Sequence, residues 1–159
     1  VVFPDEDEDL HTIANHLPFE KIKQITVHRG STVQLLYRCN TLPKAINICG
    51  NLGESVCQTK EEMASRLTID SIAELCDREG VENINIFDDS KTYKSIDSIV
   101  YSYDGKRLLK CPRGKTGHVT IPKGTEIIAA NAFKHCHIDS VSFPSTLIQL
   151  EMMLLHQVR

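Results

Sequence analysis

The sequence predicts an α/β solenoid: short parallel strands stacked coil on coil, each backed by a short helix or an irregular turn. Three observations predict it. An apolar–small polar–apolar triplet recurs along the chain. The intervals between triplets fall into a short class and a long class. The long intervals hold segments that read as inserts.

The triplets are Ile25-Thr26-Val27, Ile46-Asn47-Ile48, Ile84-Asn85-Ile86, Val119-Thr120-Ile121 and Val141-Ser142-Phe143. Alternation of period two over so few residues means a short strand with one buried face. The flanking apolar residues are expected inward, on one continuous parallel sheet. Ile25 to Ile46 is 21 residues and Val119 to Val141 is 22. Both fit the leucine-rich-repeat period of about 20–29 residues. Ile46 to Ile84 is 38 residues and Ile84 to Val119 is 35, so each needs an insert. The stretch Thr125–Cys136 also aligns without gaps on Thr146–Gln157, with Ile127 over Ile148 and Phe133 over Leu154.

The inserts have their own signatures. Thr59-Lys60-Glu61-Glu62 reads as a capping box opening a helical insert at about 59–79, with Gly80 as its stop. Ile69, Ile72, Ala73, Leu75 and Cys76 form its apolar face. Asp104-Gly105 suits a tight turn, with Val100, Tyr101 and Tyr103 before it and Leu108 and Leu109 after it. That makes a β-hairpin insert at about 93–112. Residues 1–10 read as a disordered acidic tail, and 11–159 as the solenoid, with a short helical turn expected at 11–17. The chain starts at Val1 without a Met and stops at Val158-Arg159, where the next strand would begin. A fragment of a longer protein is the expectation.

The part of the chain from about 81 to 150 resembles the BspA-like leucine-rich repeats. The residues that carry the likeness are Val119–Pro122, Ile127, Ala132, Phe133, Cys136, Ile138, Val141, Phe143 and Pro144. That family also carries an inserted hairpin, matched here by Tyr93, Ser95, Asp97, Tyr101, Asp104, Gly105, Leu108, Leu109, Cys111, Pro112 and Gly114. Before residue 81 only two strand cores fit. The resemblance implies a non-catalytic module at a cell surface or in a secreted protein, binding another protein or a glycan.

Composition narrows the function classes. A net charge of −3 gives no field that would attract nucleic acid. No apolar run approaches the roughly eighteen residues of a membrane-spanning helix. Six cysteines stand at 39, 49, 57, 76, 111 and 136, with no CxxC pair. His135-Cys136-His137 invites a metal reading, but zinc needs four ligands and only His118 is near in sequence. Cys39, Cys76 and Cys136 each precede a strand, so the thiol reads as a small buried repeat position. Equivalent thiols on adjacent coils would lie ~5 Å apart, a distance compatible with a disulfide. Positions that follow the repeat rather than pairing locally favour reduced thiols. The Gly114–Gly117 stretch lacks phosphate-loop spacing and leads into a strand, so it reads as a turn.

These readings predict no catalytic residue, no metal and no cofactor. The candidate binding surface is the column of middle residues, Thr26, Asn47, Asn85, Thr120 and Ser142, in one row on the concave face. The hairpin aromatics Tyr101 and Tyr103 are expected to assist. The competing reading is an accessory or regulatory repeat domain whose active part lies elsewhere in a larger protein.

Overall fold

The computed structural model describes residues 18, 21–27, 36, 39, 41–50, 69–88 and 92–151. The acidic tail, the expected turn at 11–17 and the capping box at 59–62 lie outside the described residues.

The first three triplets form one parallel sheet. β1 (Gln24–Val27), β2 (Ala45–Gly50) and β3 (Asn83–Asp88) lie side by side in that order. Their register is that of the repeat: Ile25 faces Ile46, which faces Ile84, and Val27 faces Ile48, which faces Ile86. All six are buried. Stacking like on like lets each coil cover the apolar face of its neighbour, which no coil could bury alone. The helix α1 (Ile69–Cys76) backs β3 and turns Ile72, Leu75 and Cys76 into the same core. After it, Gly80 adopts a φ of 85°, a left-handed conformation that suits glycine, and redirects the chain into Val81.

The sheet then stops, which corrects the expectation of one continuous sheet. The fourth and fifth triplets pair with each other, in β7 (Thr116–Thr120) and β9 (His137–Ser142), on a separate parallel sheet. The hairpin insert causes the break. It comprises β4 (Tyr93–Ile96), β5 (Ile99–Ser102) and β6 (Arg107–Lys110), so it is a three-stranded meander rather than a single hairpin. The extra turn, Asp97-Ser98, has φ of 50° and 63°, the pair of positive values that a two-residue hairpin turn requires. It lies where β7 would otherwise meet β3. Ile86 donates its N–H to Ser95 Oγ at 2.9 Å, and Lys115 Nζ donates to the Asp97 carbonyl at 2.6 Å.

Coil stacking survives only at the rim of this break. Arg113 N–H donates to the Cys76 carbonyl, and Gly114 N–H to the Val81 carbonyl, both at 2.8 Å. A Cβ at Gly114 would stand 2.7 Å from that Val81 oxygen, so the approach of the two coils requires glycine there.

A second ladder runs along the back. β6, β8 (Ile127–Ile128) and β10 (Gln149–Leu150) pair in parallel, so the meander's last strand continues into the repeat. Ile128 pairs with Leu150, and Ile127 with Gln149. The gapless alignment of Ile127 on Ile148 is therefore displaced by one residue. Asp139 is the extra residue, since the β7–β9 register shifts between Gly117 and His118. Ile148 is left 80% exposed. Between β8 and β9 the chain turns at Ala132–Cys136 through three successive short bonds, not a helix.

β5 explains why there are two cores. Val100 belongs to the core of β1–β3 and α1, whereas Ile99 and Tyr101 belong to the core formed with β6–β9. All three side chains are buried, so β5 is apolar on both faces. Phe143, expected inward, is 50% exposed at the end of β9.

Candidate functional site

The five column residues fall into two groups that differ in environment. Thr26, Asn47 and Asn85 are in register across β1, β2 and β3. They bond to each other: Asn47 Nδ2 donates to Thr26 Oγ1 at 3.4 Å, and Asn85 Nδ2 donates to Asn47 Oδ1 at 2.9 Å. Ser98 Oγ closes the row by donating to Asn85 Oδ1 at 3.4 Å. Asn47 is only 9% exposed. This group spends its donors and acceptors on a ladder that satisfies buried amides, and little is left to face a partner.

Thr120 and Ser142 pair on the other sheet and are exposed. They do not continue the first row, because the Asp97-Ser98 turn separates the sheets. Two residues outside the expected column join them. His118 Nδ1 lies 2.6 Å from Ser140 Oγ, and His118 Nε2 lies 3.0 Å from Ser142 Oγ. A neutral imidazole has one donating and one accepting nitrogen, and the two hydroxyls complement both. The imidazole of β7 is thereby tied to β9 at both nitrogens, with Thr116 and Thr120 exposed along its own strand. Extending the period-two reading by two residues, to Thr116-x-His118-x-Thr120 and Ser140-x-Ser142, would have found both residues.

The hairpin tyrosines separate as well. Tyr103 is 44% exposed, but Tyr101 is buried in the second core. Burial pushes its phenol pKa up. Tyr101 is thus a packing residue, which corrects its assignment to a surface. The turn at 103–106, which contains Tyr103, is held by Asp104. Its carboxylate accepts Ser102 Oγ at 2.6 Å and the Lys106 N–H at 3.0 Å. These bonds hold the carboxyl below its ordinary pKa.

At His135-Cys136-His137, the two histidines are exposed while Cys136 is half-buried against the second core. His137 Nδ1 donates to the Arg113 carbonyl at 3.1 Å. The Cys136 thiol lies 3.3 Å from the Cys111 carbonyl and 3.4 Å from the Pro112 carbonyl. Among the described residues no three His, Cys, Asp or Glu side chains gather as metal ligands would. Among them, too, no helix is long and apolar enough to cross a membrane.

Strands that stack in parallel on neighbouring coils, in three parallel ladders, and apolar faces shared between neighbours define a leucine-rich-repeat-like solenoid. The chain is similar to a leucine-rich repeat protein from Eubacterium ventriosum ATCC 27560, known from a crystal structure, at 16% identity and a TM-score of 0.45. The match covers 81% of this chain and 43% of that one, so the chain spans less than half the length of the solved protein. No family model and no curated protein matches the chain.

Proposed function

We propose that this chain is a non-catalytic binding module, and that its docking face is the exposed polar column of β7 and β9. Thr120 and Ser142 are its centre, with His118 and Ser140 beside them. The observation that carries this reading is the contrast between the two columns. Asn47 is buried and Thr26 and Asn85 are partly covered, whereas Thr120 and Ser142 are exposed. A row of hydroxyls and one imidazole suits a partner that offers alternating donors and acceptors, such as an extended polypeptide. Tyr103, at the exposed turn of the meander, is the one described tyrosine on offer as an aromatic anchor. The BspA-like resemblance supports a cell-surface or secreted setting for such a module.

The test is a binding screen against immobilised peptides and glycans, repeated with Thr120→Arg and Ser142→Arg. Each substitution places a bulky charge on the column and should weaken peptide binding at least about tenfold, or ~1.4 kcal/mol. Selective capture of glycans would replace the polypeptide as partner. Binding unchanged by both substitutions but lost on Tyr103→Ala would move recognition to the meander and overturn the reading.

A further inference from the structure

The corner where α1, the end of β6 and the last coil meet holds three thiols. Cys76 and Cys111 are fully buried there, and Cys136 is half-buried. Lys110 lies beside them, also buried, paired with Asp77 at 2.7 Å and donating to the Asn131 carbonyl at 3.2 Å. Two of the thiols converge. Cys111 Sγ stands 3.7 Å from the Pro112 carbonyl oxygen, and Cys136 Sγ stands 3.4 Å from the same atom. The backbones beneath them are tied, since Cys111 N–H donates to the Ala132 carbonyl at 2.8 Å and Cys136 N–H donates to the Phe133 carbonyl at 3.2 Å. Nothing in the binding reading uses this arrangement.

We propose that Cys111 and Cys136 form a redox site: a hydroperoxide oxidises Cys136, and Cys111 then closes a disulfide between the end of β6 and the turn of the next coil. Cys136 keeps part of its surface at the solvent, which makes it the sulfur that a small oxidant reaches first, and Cys111, wholly inside, is the resolving thiol. Sensor cysteines share this arrangement of an accessible thiol beside a second one. The steps balance. The Cys136 thiolate attacks one peroxide oxygen and breaks the O–O bond, giving a sulfenic acid and releasing alkoxide or hydroxide. Cys111 sulfur attacks the Cys136 sulfur, the S–O bond breaks, and the hydroxyl leaves as water with the Cys111 proton. Two thiols are oxidised by two electrons, and one peroxide is reduced to water and an alcohol or a second water.

The order of events follows from the environment. The neighbouring Cys136 and its own burial both push the Cys111 pKa up, so Cys111 stays protonated. The Cys136 pKa is held down by the protonated Cys111 beside it and by the Lys110 ammonium. The two carbonyl oxygens at 3.3 and 3.4 Å oppose negative charge on Cys136, so the first step is slow and needs excess peroxide. Cys76 is excluded as the first target by its complete burial, which pushes its thiol up.

The experiment uses the full chain. It is treated with excess hydrogen peroxide under native conditions, quenched with an alkylating reagent, digested and mapped by mass spectrometry. The expected product is a peptide pair linked through Cys111 and Cys136, reversed by dithiothreitol. With Cys111→Ala, dimedone should trap a sulfenic acid on Cys136. With Cys136→Ser, the linked pair should vanish while Cys111 remains a free thiol. The map of the unsubstituted chain is decisive even if a variant fails to fold. A bond from Cys136 to any other cysteine, oxidation of Cys111 before Cys136, or over-oxidised Cys136 with Cys111 still free would each overturn the proposal.

Discussion

Ile84→Ala is the substitution that most directly interrogates the stack. Ile84 lies in β3, in register with Ile46, and is fully buried in the core that also holds Ile72 and Leu75 of α1. Truncation removes three carbon groups. At about 0.8 kcal/mol each, lost transfer energy alone is ~2.4 kcal/mol. The neighbours are strands and a helix fixed by their own pairings, so the space collapses only in part. A residual cavity adds roughly 1 kcal/mol or more, for a total of about 3–4 kcal/mol, inside the 2–5 kcal/mol span of such truncations. Urea unfolding followed by circular dichroism measures it. With a slope of ~1–3 kcal/mol per molar, the midpoint should fall by roughly 1–4 M. Phe143→Ala, at a half-exposed position, should move it far less. A loss below ~0.5 kcal/mol for Ile84→Ala would mean that β3 does not pack as described.

Two further outcomes test the polar groups. Asn47→Leu removes the middle of the ladder, leaves the Asn85 amide without its acceptor, and should cost about 1–3 kcal/mol in the same assay. Thr120→Val, at the exposed column, should cost under ~0.5 kcal/mol, and equal losses at the two sites would refute the distinction between the columns. Asp104 should titrate, by NMR of its side-chain carboxyl, with a midpoint below that of an ordinary aspartate. Because its folded-state pKa is depressed, its support of the turn is complete above the unfolded value near ~4 and disappears as pH falls through the folded one. A midpoint at or above the ordinary value would show that the Ser102 and Lys106 bonds do not form in solution.

The repeat itself was legible because burial enforces it. Each coil must place two apolar residues inward at one spacing, so the triplets Ile25–Val27, Ile46–Ile48 and Ile84–Ile86 appear in the sequence at the register they adopt. The break in the sheet was not legible, because it depends on where an insert goes. Asp97-Ser98 shows no glycine, yet it forms a turn with two positive φ angles and fills the space beside β3. Tyr101 was misread for a related reason. Alternation assigns one face of a hairpin to solvent, but β5 lies between two cores and buries both faces. The middle residues share a repeat position, as their spacing requires, but their exposure depends on what covers them. Asn47 and Thr120 therefore look alike in sequence and differ in the folded chain.

The double-sided burial of β5 also limits how the chain can be divided. Val100 is an inner surface of one half, and Ile99 and Tyr101 are an inner surface of the other. A cut on either side of this strand would leave one piece with a wet apolar wall and the other with an open core. Such pieces would self-associate rather than survive as soluble half-proteins. The meander is thus a keystone: coils on one side hold their form only while those on the other remain attached.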